Sequence, residues 1–168
     1  MQEHLRRMAR YNAWANRRLY AACAQLAEAE YHQPRPAFFG SIHGTLNHLL
    51  VGDRIWLARI EATPSPKLRL DDRPCASLAE LKAARAAEDA RMIALVDGYA
   101  ADDLRRPVRY RRIVEPEDVE TPLHVCWLHL FNHQTHHRGQ VHDQLSHTAV
   151  APPSLDLIFY LRETGDPL

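Results

Sequence analysis

One stretch constrains the chain more than any other: Cys126-Trp-Leu-His-Leu-Phe-Asn-His-Gln-Thr-His-His-Arg-Gly-Gln-Val-His142. It holds five histidines, and its flanks add His124 and His147. Leu123, Trp127, Leu130, Gln134, Val141 and Leu145 recur at steps of three and four, the pattern of one face of an α-helix. At about 100° per residue, His133 and His137 point the same way, at one edge of that apolar face. His124 and His142 point away. His129, His136 and His147 lie just outside the pair, towards the polar side. Two imidazoles one turn apart can grip one metal ion from a single rigid surface, so this helix is read as carrying two ligands, with other helices supplying the rest.

The remainder of the chain reads as a helical frame for that surface. A first helix is expected over about Gln2 to Leu26, with Leu5, Met8, Asn12, Ala15, Leu19, Ala22 and Leu26 facing inward. Asn12 and Asn16 lie on or beside this stripe. A polar group facing a core needs partners, either a neighbouring helix or a contact behind the metal site. Trp14 points outward, which suits simple exposure or a dimer contact. Ser41 is a good N-cap for a second helix reaching about Ala62. Ile42, Leu46, Leu49, Trp56 and Ile60 form its apolar face and His48 sits at the edge, as His133 does on its own helix. His43 is read as surface.

Residues 63 to 76 are punctuated by prolines and long enough to travel along a bundle. Ser77-Leu-Ala-Glu80 then forms a capping box, opening a third helix to about Val96 that carries no histidine and reads as structural. Residues 98 to 120 are irregular or extended, and the alternation of Val108, Tyr110 and Ile113 suits a short strand or hairpin arm. The basic run Arg105–Arg112 and the acidic run Glu115–Glu120 read as a self-neutralising loop, with an anion site as the alternative. Thr121-Pro122 has the chemistry of an N-cap followed by a first helical position. A last short helix runs from Leu155 to about Thr164, closed by Gly165.

At 168 residues with no internal boundary, a single domain over 1–168 is expected. Acidic and basic residues number 21 each, and no basic stripe with interleaved aromatics is visible, so a nucleic-acid or anionic-membrane surface is not expected. No run reaches the roughly 18 apolar residues of a membrane span. Cys23, Cys75 and Cys126 are odd in number and widely spaced, which does not suit a disulfide framework. The charged, amphipathic N-terminus does not read as a signal peptide. Together these point to the cytoplasm.

Neutral imidazoles suit zinc, nickel, copper and iron(II). His48 from a facing helix would add a third ligand to His133 and His137. Three protein ligands with open positions mark a catalytic site, whereas structural zinc is usually closed by four. A metal there would lower the pKa of a bound water or thiol. The His-Glu-x-x-His pattern of zinc proteases is absent, because Gln134 stands where their general base would be. No Cys-x-x-Cys pair, phosphate loop or nucleophile elbow is present.

The run His133-Gln-Thr-His-His137-Arg-Gly-Gln140 resembles the His-x-x-x-His-Arg-Gly-Gln signature of the DinB family. Thr45-Leu-Asn-His48-Leu-Leu-Val-Gly-Asp-Arg-Ile-Trp56 is similar to that family's first ligand helix, and Tyr11-Asn-Ala-Trp14-Ala-Asn16 to its opening helix. The resemblance covers nearly the whole chain. It implies an all-α fold, a four-helix bundle whose second and third helices run parallel across a long crossover (up-down-down-up), with a short extra C-terminal helix. It implies a divalent metal (zinc, nickel, iron or manganese) on His48, His133 and His137, and a homodimer. Related members are thiol S-transferases, so the expected function is metal-dependent activation of a low-molecular-weight thiol, or water, for attack on a small electrophile; catalytic residues beyond the ligands are unassigned. The competing class is a non-catalytic, metal-stabilised bundle acting in binding or stress response. Two contacts are expected near the ligands: an ion pair between Asp53 and Arg138 tying the ligand helices, and a hydrogen bond from Gln140.

Overall fold

Two serines and their neighbours begin two of the long helices. Ser41 Oγ accepts from the Gly44 amide at 3.0 Å and opens α3 (Ile42–Ile60). Ser77 and Glu80 exchange bonds in a full capping box and open α4 (Leu78–Gly98). The computed structural model describes residues 1–166. Its other long helices are α1 (Gln2–Cys23) and α5 (Leu123–Ser146), and shorter ones are α2 (Glu28–His32) and α6 (Leu157–Thr164). A 3₁₀ turn, Asp102–Arg105, leads into an antiparallel hairpin of β1 (Pro107–Arg111) and β2 (Asp118–Pro122) with Val108 opposite Thr121.

Cross-helix contacts fix the directions. Arg10 near the start of α1 meets Asp97 near the end of α4 at 2.9 Å, so these two are antiparallel. Asp53 with Arg85, and Arg54 with Glu88 at 3.1 Å, run in step along α3 and α4, which are parallel. Thr45 meets Gln144 at 3.3 Å and Asp53 meets Gln134, so α3 and α5 are antiparallel. The result is the up-down-down-up bundle, with the 63–76 segment as its crossover. Asn47 fastens the end of that crossover, accepting from the Cys75 amide and donating to its carbonyl at 3.1 and 3.2 Å. No helix among the described residues is long and apolar enough to cross a membrane.

The bundle interior has two apolar clusters, and a third, smaller one joins α1 to α6 through Tyr11, Trp14 and Tyr160. Of the first two, one gathers around Trp127 with Leu5, Leu57, Met92 and Phe131; the other around Tyr20 with Leu46, Leu81, Val141 and Leu145. Between them lies a buried polar layer from all four long helices: Asn12, Asn16, Asp53, Arg85, Asp89, Gln134 and Arg138.

Several expectations change. Trp14 is only 3% exposed, because α6 folds back on the outer face of α1 and Tyr160 packs edge-on against it at 5.8 Å. His43 is not surface: it is 3% exposed and its Nδ1 lies 3.2 Å from the Tyr31 hydroxyl, under the unanticipated helix α2. Thr121 belongs to β2, and Pro122 occupies the N-cap of α5 with no side-chain cap. The basic and acidic runs do neutralise each other, through Arg109–Glu120, Arg111–Asp118 and Arg112 with Glu115 and Glu117.

Two predictions follow from this packing. A Cβ on Gly44 would stand 2.1 Å from the Phe39 carbonyl oxygen. Helix propensity alone favours alanine by about 1 kcal/mol, yet Gly44→Ala should lower stability by about 1–3 kcal/mol in urea titrations, as buried clashes do; a gain in stability would refute the close approach. Burial, with His32 and Arg73 nearby, pushes His43 down to about 4. An unfolded histidine titrates near 6.5, so between these values the unfolded chain binds more protons. Stability is then full above about pH 6.5 and falls as pH drops towards about 4. His43→Gln should flatten that decline, measured as the change in unfolding free energy between about pH 7 and about pH 5.

Candidate metal centre

The antiparallel meeting of α3 and α5 brings His48, His133 and His137 together, one ring nitrogen of each lying within 4.8 Å of the others. The three rings face one another with centroids 4.4 to 5.1 Å apart. His48 and His137 are buried and His133 is half-buried.

Each ring is held from behind. His48 Nδ1 donates to the Leu70 carbonyl of the crossover at 2.8 Å. His137 Nδ1 donates to Gln140 Oε1 at 2.8 Å, and the Gln140 amide nitrogen reaches His136 Nε2 at 3.1 Å. With Nδ1 carrying the proton, Nε2 keeps its lone pair for the centre, the arrangement that metal-ligating histidines show. Phe39 stacks on His48 at 3.8 Å and 17°. Among the described residues His133 has no such hydrogen bond; it is seated sterically against Gly52, where a Cβ would come within 2.9 Å of its Cε1.

The donor set fits a metal ion. His48 Nε2 and His133 Nε2 lie 3.1 Å apart. Ligands at about 2.0–2.1 Å from one ion would sit roughly 2.9 to 3.4 Å apart for right-angle to tetrahedral geometry. Two lone pairs at that distance repel unless a proton or cation lies between them. Burial, reinforced by the neighbouring histidines, pushes His133 down to about 3; burial likewise takes His137 to about 4 and lowers His48. All three are therefore neutral imidazoles near pH 7, the form that binds metal.

Two cavities flank the triad. One, of about 950 Å³, is lined by His48, His137, Phe39, Leu70, Arg73 and Gln140. The other, of about 570 Å³, lies between α3, α5 and the hairpin and reaches His48 and His133. His48 and Leu70 border both. No protein thiol lines either cavity, and Cys23, Cys75 and Cys126 are buried. Burial raises all three thiols, Cys23 to about 12.

A family model described as the DinB family matches residues 1–167. The chain belongs to the DinB family. It is 27% identical over 159 residues to Protein DinB of Bacillus subtilis (strain 168), covering 90% of each chain. Its fold is similar to the crystal structure of a DinB-like protein from Bacillus cereus ATCC 10987, with a TM-score of 0.63 at 16% identity, over 86% of this chain and 90% of the other.

Among this DinB member's other sequence-derived candidates, the outcome is mixed. Gln140 does bond beside the centre, to His137. The Asp53–Arg138 ion pair does not form. Asp53 is taken by Arg85 from α4 and by Gln134, while Arg138 donates to Asn12, Asn16, Gln134 and Thr135. Helix periodicity placed Asp53 and Arg138 on inward faces but said nothing of Arg85, one of the nearest buried cations. Asn12 and Asn16 bond Asp89 and Arg138, so they serve the helix–helix layer and not the histidines. His129 packs on Trp56 at 4.6 Å and His124 bonds the Leu104 carbonyl at 2.9 Å, outside the cluster. Leu70, Phe39 and Gly52 went unnoticed. Only Gly52 left a sequence signal, as a helix-interior glycine one turn after His48.

That glycine gives a prediction with opposite signs. Gly52→Ala should keep or raise the stability of the metal-free protein, by up to about 1 kcal/mol of helix propensity. It should weaken zinc binding by about 10–100-fold, the loss typical when a ligand's support is disturbed, read by competition with a chromophoric chelator. Unchanged zinc affinity would show that His133 tolerates the displacement.

Proposed function

We propose that this chain is a divalent-metal enzyme in which a low-molecular-weight thiol, or water, attacks a small electrophile. The observation that carries the reading is the triad itself: three neutral imidazoles, two oriented by hydrogen bonds, bordered by cavities on both sides. His48, His133 and His137 would hold the ion, with zinc, nickel, iron(II) or manganese all compatible with such donors. When bound, the metal lowers the pKa of a coordinated thiol or water and supplies a nucleophile near neutral pH.

The chain's own residues support the rest of the scheme. No buried cysteine is poised as a nucleophile, since burial holds each thiol protonated. Glu120 and Asp71 border the cavities but are engaged by Arg109 and Arg69. An external thiol entering one cavity and an electrophile entering the other suits this division. Leu70 and Gln140 keep two ligand rings in one tautomer, while Phe39 shields the His48 ring from solvent. A homodimer in the cytoplasm, acting on a small molecule, is the setting in which we place it.

The test is a metal-replete protein assayed with several biological thiols and chlorodinitrobenzene. The thiol sulfur forms a bond to the ring carbon, the carbon–chlorine bond breaks, chloride leaves with the bonding pair, and the thiol proton passes to water. His48→Ala, His133→Ala and His137→Ala should each reduce transfer by at least about 100-fold while circular dichroism shows the bundle intact. Metal bound at the triad with no transfer to any thiol would favour the metal-stabilised binding protein instead.

A further inference from the structure

The cavity beneath the hairpin has a composition unlike its neighbour. Its walls are Trp56 and Ile55 from α3 and Tyr110 and Val119 from the strands, with Ile113 and Val114 of the hairpin connection at its rim. Both rim residues are exposed. At about 570 Å³ it falls within the range of small-molecule sites.

One cation stands in this apolar surround. Arg59 is gripped between two rings, its Cζ 4.6 Å from the centre of Trp56 and 4.5 Å from that of Tyr110. One of its terminal nitrogens donates to the Arg111 carbonyl at 3.2 Å. Among the described residues no carboxylate pairs with it. The other charges on the lining are spent: Arg112 is held by Glu115 and Glu117, and Glu120 by Arg109. Burial lowers the Arg59 pKa, yet an arginine stays charged at any working pH. A planar guanidinium fixed by two rings, with donors to spare in an apolar hollow, matches a carboxylate carried on a flat apolar body.

We infer that this cavity binds a small aromatic or unsaturated carboxylate, its apolar body against Trp56 and Tyr110 and its carboxylate on Arg59, beside the histidine triad. Resting on the reading above, this assigns the electrophile's class and side of entry. The alternative for Arg59 is purely structural, clamping the hairpin to α3 through the rings and Arg111. Ligand preference separates the two roles, since a clamp has no reason to prefer an anion.

The experiment is calorimetric titration of the zinc-loaded full chain with trans-cinnamate and with its neutral amide. Cinnamate should bind at least about tenfold more tightly, the worth of one charge-assisted contact. Arg59→Gln should erase that preference while changing amide affinity less than about twofold, and Arg59→Lys, which keeps the charge but loses the planar fork, should keep only part of it. Val119→Trp, which narrows the cavity and retains Arg59, should weaken both ligands and serves if Arg59→Gln fails to fold. Equal binding of the two probes, or a preference that survives Arg59→Gln but vanishes when zinc is chelated, overturns the assignment. Binding with the expected preference but no thiol transfer would keep this site and remove only the proposed reaction.

Discussion

The bundle depends on a layer of charge buried at its middle. Asp53 and Asp89 supply two carboxylates, Arg85 and Arg138 two guanidiniums, and all four are nearly inaccessible to solvent. Ions in such a place cost several kcal/mol each unless they are paired and fully hydrogen-bonded. Arg85 meets both carboxylates, at Asp53 and at Asp89. Asn12 and Asn16 turn their amide nitrogens to Asp89 and their oxygens to Arg138. Gln134 does the same between Asp53 and Arg138. Burial still pushes both carboxyls upward, so the compensation is incomplete. An apolar layer could slide by a turn at small cost. This one cannot, because every shift would strand a charge.

The histidine cluster inherits that register. Gln134 lies between His133 and His137 in sequence and bonds Asp53, five residues along α3 from His48. The bond sets which turn of α5 faces which turn of α3, and so which imidazoles meet. Rigid helices then supply the imidazoles, while the connections supply what orients His48. The crossover gives the Leu70 carbonyl, and the loop before α3 gives Phe39. Gly44 allows that loop to approach, with its Cα where any side chain would meet the Phe39 carbonyl. These supports come from segments that a core-packing account would treat as filler.

Periodicity made the four long helices legible, and the two serine caps placed two of the starts. The edge positions of His48, His133 and His137 followed from the same angular reading, because a helix fixes the direction of each side chain. What a single helix cannot show is what covers it. Trp14 was outward on α1 and is buried by α6; His43 was outward on α3 and is buried by α2. The eight-residue α6 was legible in sequence but where it docks was not, and α2, at five residues, left no pattern at all. Partner choice was equally hidden. Asp53 and Arg138 face the interior as expected, but Arg85 and Gln134 stand between them. The carbonyl of Leu70 carries no sequence mark at all, since every residue has one.

The arginines show why charge alone did not reveal the chemistry. All but two of the 21 basic residues are arginine, and many sit in ion pairs at or near the surface, worth little to stability. Arg85 and Arg138 are different: Arg85 is paired with Asp53 and Asp89, and Arg138 donates to Asn12, Asn16, Gln134 and Thr135. Arg59 belongs to neither group. It is partly withdrawn from water between Trp56 and Tyr110, yet among the described residues it bonds only a backbone carbonyl. The ring contacts recover part of the lost hydration, since a cation over an aromatic face gains about 0.5–2 kcal/mol. They leave its in-plane donors unsatisfied, because rings engage the faces of charge and not its N–H groups. The hairpin's acidic residues could have supplied a carboxylate, but they are drawn outward to Arg109, Arg111 and Arg112. Thus the hairpin, whose sequence read as a self-neutralising loop with an anion site as the alternative, leaves the donor-rich Arg59 facing an apolar hollow next to the histidines.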